Sequence, residues 1–295
     1  MNIVVSGASG MMGRSLCKSL AAAGARVLRL VRRPPVGDDE LAWDPSRGTL
    51  DGARLEGVDA VVNLGGANVG EGRWTAARKR ELVDSRVVPT ALLASTLAAC
   101  ATRPRVFVCA SAVGWYGARA GVVDESAPRG DGFLAELAAE WEAAADPARA
   151  AGIRVAHARL GVVLSTEAGA LAKMLPPFRL GLGAVVGDGT APFSWVALDD
   201  AVAALRFALD CETLRGPFNV TSPEPTTQRD FAVALGRALR RPVLFRMPGA
   251  LLRLAVGELA ESMLSGAAVV PTQLLAAGFR FQYPSLTGAL EHALG

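Results

Sequence analysis

The stretch Val4–Leu16, VVSGASGMMGRSL, begins with a β-branched run, continues with glycine at every third position and ends in apolar helical periodicity. In order these read as a strand, the spacing Gly7-x-x-Gly10-x-x-Gly13, and a helix expected from about Gly13 to Ala23. Such a loop turns tightly and lets its backbone approach a pyrophosphate, while the helix aims its N-terminal N–H groups at the negative charge. A three-glycine pattern by itself also fits an ordinary turn. Between a first strand and a first helix it has the context that dinucleotide binding requires.

Outward from this loop, strand-like and helical segments alternate. ARVLRLVRR and DAVVNLGG read as strands, Arg78–Cys100 as a helix, PRVFVCASA as a strand, Gly132–Ala151 as a helix and IRVAHARLGVVL as a strand. Strands joined by helical crossovers imply parallel pairing, hence an α/β, Rossmann-type doubly wound sheet. After Ser165 the texture changes: Lys173–Trp195 is dense in Gly and Pro and reads as loop. Asp199–Cys211 is helical, with Asp199 and Asp200 placed as N-terminal caps, and GPFNVTS is one more strand. Beyond Thr226 helices dominate, beginning with the Thr-capped TTQRDFAVALGRALRR and PGALLRLAVGELAESML. The expected division is a nucleotide-binding domain over 1–165, also taking in about 196–221, and a smaller, mostly helical lobe within 166–295.

Composition narrows the function. Of 295 residues 51% are hydrophobic and 20% charged, which describes an ordered globular chain. Lys and Arg number 31 against 28 acids, without long basic runs, so nucleic acid is not the expected partner. No uninterrupted apolar run reaches membrane-spanning length, and the N-terminus lacks a signal-peptide layout. The four cysteines are scattered and read as free thiols of a reducing compartment. His157 and His292 have no clustered ligands that would suggest a metal. The expectation is a cytoplasmic protein, monomer or homodimer, with a small-molecule substrate of unknown identity.

The end of the second strand bears on the cofactor. NAD sites usually place a carboxylate there to hold the ribose hydroxyls. Here the strand ends in Arg32 and Arg33, and two guanidiniums match a 2′-phosphate. The alternatives are an NADP(H) site or two solvated arginines, and NADP(H) is favoured. NLGGAN, Asn63–Asn68, ends the next strand with small residues that allow close approach to the adenosine side.

With these pieces the sequence resembles an extended short-chain dehydrogenase/reductase. Within that superfamily it is similar to the atypical "epimerase family protein" branch of the NAD-dependent epimerase/dehydratases. The resemblance runs nearly end to end, through AWDP at Ala42, SRVVPTALL at Ser85, SAVGWYG at Ser111, WEAAA at Trp141, RLGVVLS at Arg159, PFRLGLG at Pro177 and FSWV at Phe193. The tail ELAESMLSGAAVVPTQLLAAGFRFQYPSL resembles the family's small C-terminal domain. The resemblance implies that Gly7, Gly10, Met11, Met12 and Gly13 hold the pyrophosphate and that Arg32 and Arg33 contact the NADP phosphate. It implies that Leu64 and Gly65 line the adenosine side, that Glu81 and Arg86 help bind the cofactor, and that Arg159–Val162, with Leu160 and Gly161, pass the nicotinamide.

One part of the family's pattern is missing. Active members use a Ser/Thr and a Tyr-x-x-x-Lys pair, whose Lys lowers the phenol's pKa. Neither Tyr116 nor Tyr283 has Lys four residues on, and the aligned helix puts Leu134 and Ala138 at the two positions. Ser111 lies at, or one residue before, the usual Ser. Tyr116 is then a packing residue or a non-standard hydrogen-bond donor, with no cation expected nearby to lower its pKa. Ser111 and Tyr116 are the candidate catalytic residues, and Lys173 is a candidate for an anionic substrate or a surface lysine. Phe178, Phe193 and Trp195 either line an apolar pocket or pack a hinge. Two functions follow: an oxidoreductase moving hydride to or from a carbonyl or sugar-type substrate, or an NADP(H)-binding regulator or scaffold without turnover.

Overall fold

The computed structural model describes all 295 residues, Met1–Gly295. The first half runs β1 (Asn2–Ser6), α1 (Met11–Ala22), β2 (Arg26–Val31), β3 (Glu40–Asp44), β4 (Thr49–Leu50), β5 (Ala60–Asn63) and α2 (Ala76–Ala99). It continues through β6 (Val106–Ala112), β7 (Val122–Val123), α3 (Phe133–Ala143), α4 (Asp146–Ala150) and β8 (Arg154–Leu160). Then follow β9 (Val162–Leu164), α5 (Gly169–Arg179), β10 (Ala184–Val186), β11 (Trp195–Ala197), α6 (Leu198–Asp210) and β12 (Gly216–Val220). The tail is α7 (Gln228–Ala238), β13 (Phe245–Met247), α8 (Gly249–Val256), α9 (Leu259–Leu264), β14 (Ala268–Val269), α10 (Thr272–Ala276) and α11 (Leu286–Leu294).

Eight strands form one sheet in the order β12-β8-β6-β5-β1-β2-β3-β4. All its pairings are parallel except β3 with β4. The chain leaves β1 toward β2, then returns to β5 on the other side, so the strand order reverses between β1 and β5. Ligands enter an open α/β sheet at such a reversal, beyond the carboxyl ends of the strands. The register Ser6↔Asn63 sets the residues after both strands side by side there.

Burial on both faces explains the apolar strands. Ile3 and Val5 pack with Leu16, Leu205 and Phe218, beneath α1 and α6. Val4, pointing the other way, packs with Leu93, Leu97 and Phe107 beneath α2. By length and composition alone α2 could cross a membrane. Here its Leu82, Leu93 and Leu97 are fully buried in the protein.

Several elements depart from the sequence reading. The Gly- and Pro-dense Lys173–Trp195 is not loop throughout: it holds most of α5, with Pro176 and Pro177 inside the helix, and then β10. Leu171, Leu175 and Phe178 anchor that helix in a separate core with Phe193, Trp195, Phe231, Leu235 and Leu290, and the packing offsets what proline costs. Phe178, Phe193 and Trp195 are therefore core residues. The expected single strand over Ile153–Leu164 splits at Gly161. Its second half, β9, leaves the main sheet to pair with β11. The helix expected over Gly132–Ala151 breaks into α3 and α4, and the one after Pro248 breaks at Gly257. Asp200 does not cap its own helix. It is 1% exposed and accepts from the N–H groups of Gln282 (2.7 Å) and Tyr283 (2.9 Å), while Asp199 meets His292 at 2.6 Å. These acids tie the C-terminal tail to α6.

Candidate cofactor and active site

The glycine loop is shaped by close approach. Gly7 lies at φ +70°, and a Cβ there would stand 2.8 Å from the Leu64 carbonyl carbon and 2.9 Å from the Gly65 nitrogen. A Cβ on Gly13 would fall 2.1 Å from the Gly7 carbonyl oxygen. The loop, the Leu64-Gly65 strand end and the first turn of α1 thus share one compact corner. Gly10 is the N-cap of α1, offers no side-chain cap, and no acid occupies the first turn. The N–H groups of Met11, Met12 and Gly13 therefore have no intrahelical acceptor. An anion fits this end, so the corner suits a pyrophosphate. Behind it a chain of buried polar groups fixes the end of β5. Ser6 donates to Asn63 Oδ1, Asn63 Nδ2 donates to Thr90 at 2.8 Å, and the Trp141 indole donates to Thr90 at 3.1 Å.

At the end of β2 the two arginines differ. Arg32 is exposed. Arg33 is clamped by Glu40 of β3, with Nη1 donating to Oε2 at 2.8 Å and Nη2 to Oε1 at 2.7 Å. Glu40 also accepts from the Val36 N–H at 2.9 Å, and Arg29 lies 3.3 Å away. The hydrogen bonds from Arg33, then from Val36, hold the Glu40 carboxyl down to about 2. The sequence reading found no carboxylate at this strand end. One arrives from the neighbouring strand, where a seven-residue separation gave no sign of it.

Arg86 is buried and braces the strand-end loop. It donates to the Ala67 carbonyl at 2.8 Å and the Leu82 carbonyl at 3.0 Å, and stacks 5.1 Å over Trp141. Burial, then the charge of Arg78, brings its guanidinium down to about 10. Glu81 is exposed and pairs with Arg78 at 2.7 Å. Lys173 donates to the Gly70 carbonyl at 2.8 Å, tying α5 to the same loop. Leu160 ends β8 and Gly161 follows it, three strands from β1 with β6 and β5 between.

Ser111 and Tyr116 are 2% and 0% exposed, and their hydroxyls are committed elsewhere. Ser111 donates to Glu142 Oε1 at 2.7 Å. Tyr116 donates to Asn219 Oδ1 at 2.7 Å and accepts from Arg159 Nη1 at 3.1 Å. Arg159 in turn grips Glu142 through Nε at 2.8 Å and Nη2 at 2.9 Å, and stacks 3.9 Å from the Trp115 ring centroid. The expectation of no nearby cation is overturned, since Arg159 touches the phenol. Burial still wins over that charge, and the phenol's pKa is raised. Both hydroxyls are thus buried and paired within the protein. Glu142 was missed, although Ala135, Ala138 and Glu142 recur at helical spacing on the buried face of α3. A carboxylate on an apolar stripe signals a buried partner.

Residues 3–221 match the model of the NAD dependent epimerase/dehydratase family, and 247–293 match a domain of unknown function, DUF1731. The chain belongs to the NAD-dependent epimerase/dehydratase family. An epimerase family protein of Mycobacterium leprae, ML0860, is 44% identical over 293 residues, covering 99% of this chain and 95% of that protein. The crystal structure of the human epimerase family protein SDR39U1 with NADPH superposes with a TM-score of 0.89 at 32% identity, covering 99% of both chains. A nucleoside-diphosphate sugar epimerase from Corynebacterium glutamicum has a TM-score of 0.81 at 32% identity, covering all of this chain and 58% of that one. Ala138 is buried, and Leu134 packs against Gly114.

Proposed function

We propose that this chain binds NADP(H) and acts as an oxidoreductase on a carbonyl or sugar-type substrate. The observation carrying this reading is the uncapped N-terminus of α1 closed against Leu64-Gly65, with two arginines at the end of β2. The human relative crystallised with NADPH supports the same cofactor here. The first-turn N–H groups of Met11, Met12 and Gly13 would hold the pyrophosphate, and Arg32 and Arg33 the 2′-phosphate. When bound, the nicotinamide supplies or accepts hydride. Leu160 and Gly161 would lie along it, and Arg86 would keep the Gly66-Ala67 backbone in place. With Ser111 and Tyr116 enclosed, the proton would come from water or from the substrate.

A second reading is favoured by the same enclosed network: a cofactor-bound regulator without turnover, in which Ser111, Glu142, Arg159 and Tyr116 only hold the fold. NADPH oxidation followed by its near-UV absorbance against aldehydes, ketones and quinones separates the two. Turnover that survives Tyr116→Phe supports an oxidoreductase with a solvent proton. Tight binding with no turnover over the panel supports the regulator.

A further inference from the structure

We propose that Glu40 is a positioning residue for cofactor selectivity: it holds Arg33 so that one edge of the guanidinium is left ready for a 2′-phosphate. The inference rests on the NADP(H) reading above. A guanidinium has five N–H donors in a fixed plane. Glu40 takes one hydrogen from each of Nη1 and Nη2, and the Pro34 carbonyl takes the second from Nη1 at 2.9 Å. What remains is Nε–H and one Nη2–H. These two lie parallel along a single edge, the fork that binds phosphate oxygens in a bidentate manner.

The clamp is itself fixed. The Glu40 side chain is only 3% exposed, whereas that of Arg33 is 54% exposed, so the carboxylate anchors from within and the arginine faces solvent. The Val36 N–H and Arg29 hold the carboxylate from other sides. Glu40 starts β3, paired in register with Arg29 of β2. The loop between those strands is thereby folded back onto the sheet. An arginine held in this way gives up less side-chain entropy when it grips a ligand.

The sign of one substitution decides the matter. Judged by charge alone, Glu40 opposes an anionic ligand, and Glu40→Gln would tighten NADP⁺ binding. Judged by positioning, the amide nitrogen cannot accept from Arg33, the fork loosens, and binding weakens. Calorimetric titration of the full-length protein with NADP⁺ and NAD⁺ measures both. We expect Glu40→Gln to weaken NADP⁺ by about three- to tenfold, the loss of an oriented charge-assisted contact, with NAD⁺ nearly unchanged. Equal or tighter NADP⁺ binding overturns the inference, and so does an equal loss for both dinucleotides. Arg33→Lys keeps the charge without the fork and serves if Glu40→Gln does not fold. We expect a comparable selective loss, and unchanged NADP⁺ affinity in this variant overturns the inference. Wild-type protein that does not bind NADP⁺ removes the functional reading as well, whereas wild-type binding with an unaffected variant removes only the role of Glu40.

Discussion

Arg159 and Glu142 show how one buried charge pair changes the meaning of its neighbours. The pair is two hydrogen bonds deep, and Ser111 and Tyr116 complete its valences. Removing one partner leaves the other charged and enclosed, which typically costs about 3–5 kcal/mol. Glu142→Ala should lower the unfolding free energy by that amount in a urea titration, and unchanged stability would mean water reaches Arg159. Tyr116→Phe removes only a hydroxyl and leaves Asn219 Oδ1 without that donor. Its expected cost is about 1–2 kcal/mol, with NADPH affinity unaltered. A large loss of cofactor affinity in this variant would show that the phenol reaches the cofactor after all.

Between α4 and β8 a histidine sets a pH limit on folding. His157 is 1% exposed and its Nε2 lies 3.0 Å from Arg149 Nη2. The arginine donates, so the ring is neutral with its proton on Nδ1, where it finds no acceptor. Burial brings the imidazole from 6.5 down to about 4. Glu142 and Asp146 favour its protonation, whereas Arg149 and Arg159 oppose it. Because the folded value is depressed, the unfolded chain takes up the proton first. Stability is full above pH 6.5 and falls as the pH drops toward 4, by about 3 kcal/mol in all. Melting curves between pH 7.5 and 4.5 should show this fall, and His157→Gln should flatten it. At the glycine corner, Gly13→Ala would press a methyl onto the Gly7 carbonyl. We expect NADPH binding to be lost while the far-UV spectrum of the helices is kept.

Across the molecule, the C-terminal tail is fastened at polar points to the main sheet and to the helices that cover it. Asp200 holds Gln282 and Tyr283, Asn219 donates to the Val270 carbonyl at 2.9 Å, and Lys79 pairs with Glu258 at 2.6 Å. Asn219 is also the acceptor for Tyr116, so the network under β6 and β8 continues into the tail. A ligand that binds only the folded state raises stability by RT ln(1 + [L]/Kd), about 2.7 kcal/mol at a hundredfold excess over Kd. NADPH should therefore raise the melting temperature of the whole chain in one transition, and NADH should raise it less at equal concentration. Two separate transitions, only one of them responsive, would show that the tail is not coupled to the cofactor site.

The sequence by itself determined the Rossmann-type sheet and the place of the glycine corner. Those depend on local periodicity and on the spacing of Gly7, Gly10 and Gly13, all written within a few residues of one another. It also held the end-to-end resemblance to the epimerase/dehydratase family. Only the tertiary structure decided what the charged and hydroxyl side chains do. Glu40 meets Arg33 because β3 lies beside β2, and Arg159 meets Tyr116, Glu142 and Asn219 because β6, α3, β8 and β12 converge. Burial then fixed the outcome: a hydroxyl or carboxylate removed from water must take whatever partner the packing supplies, and no spacing along the chain names that partner.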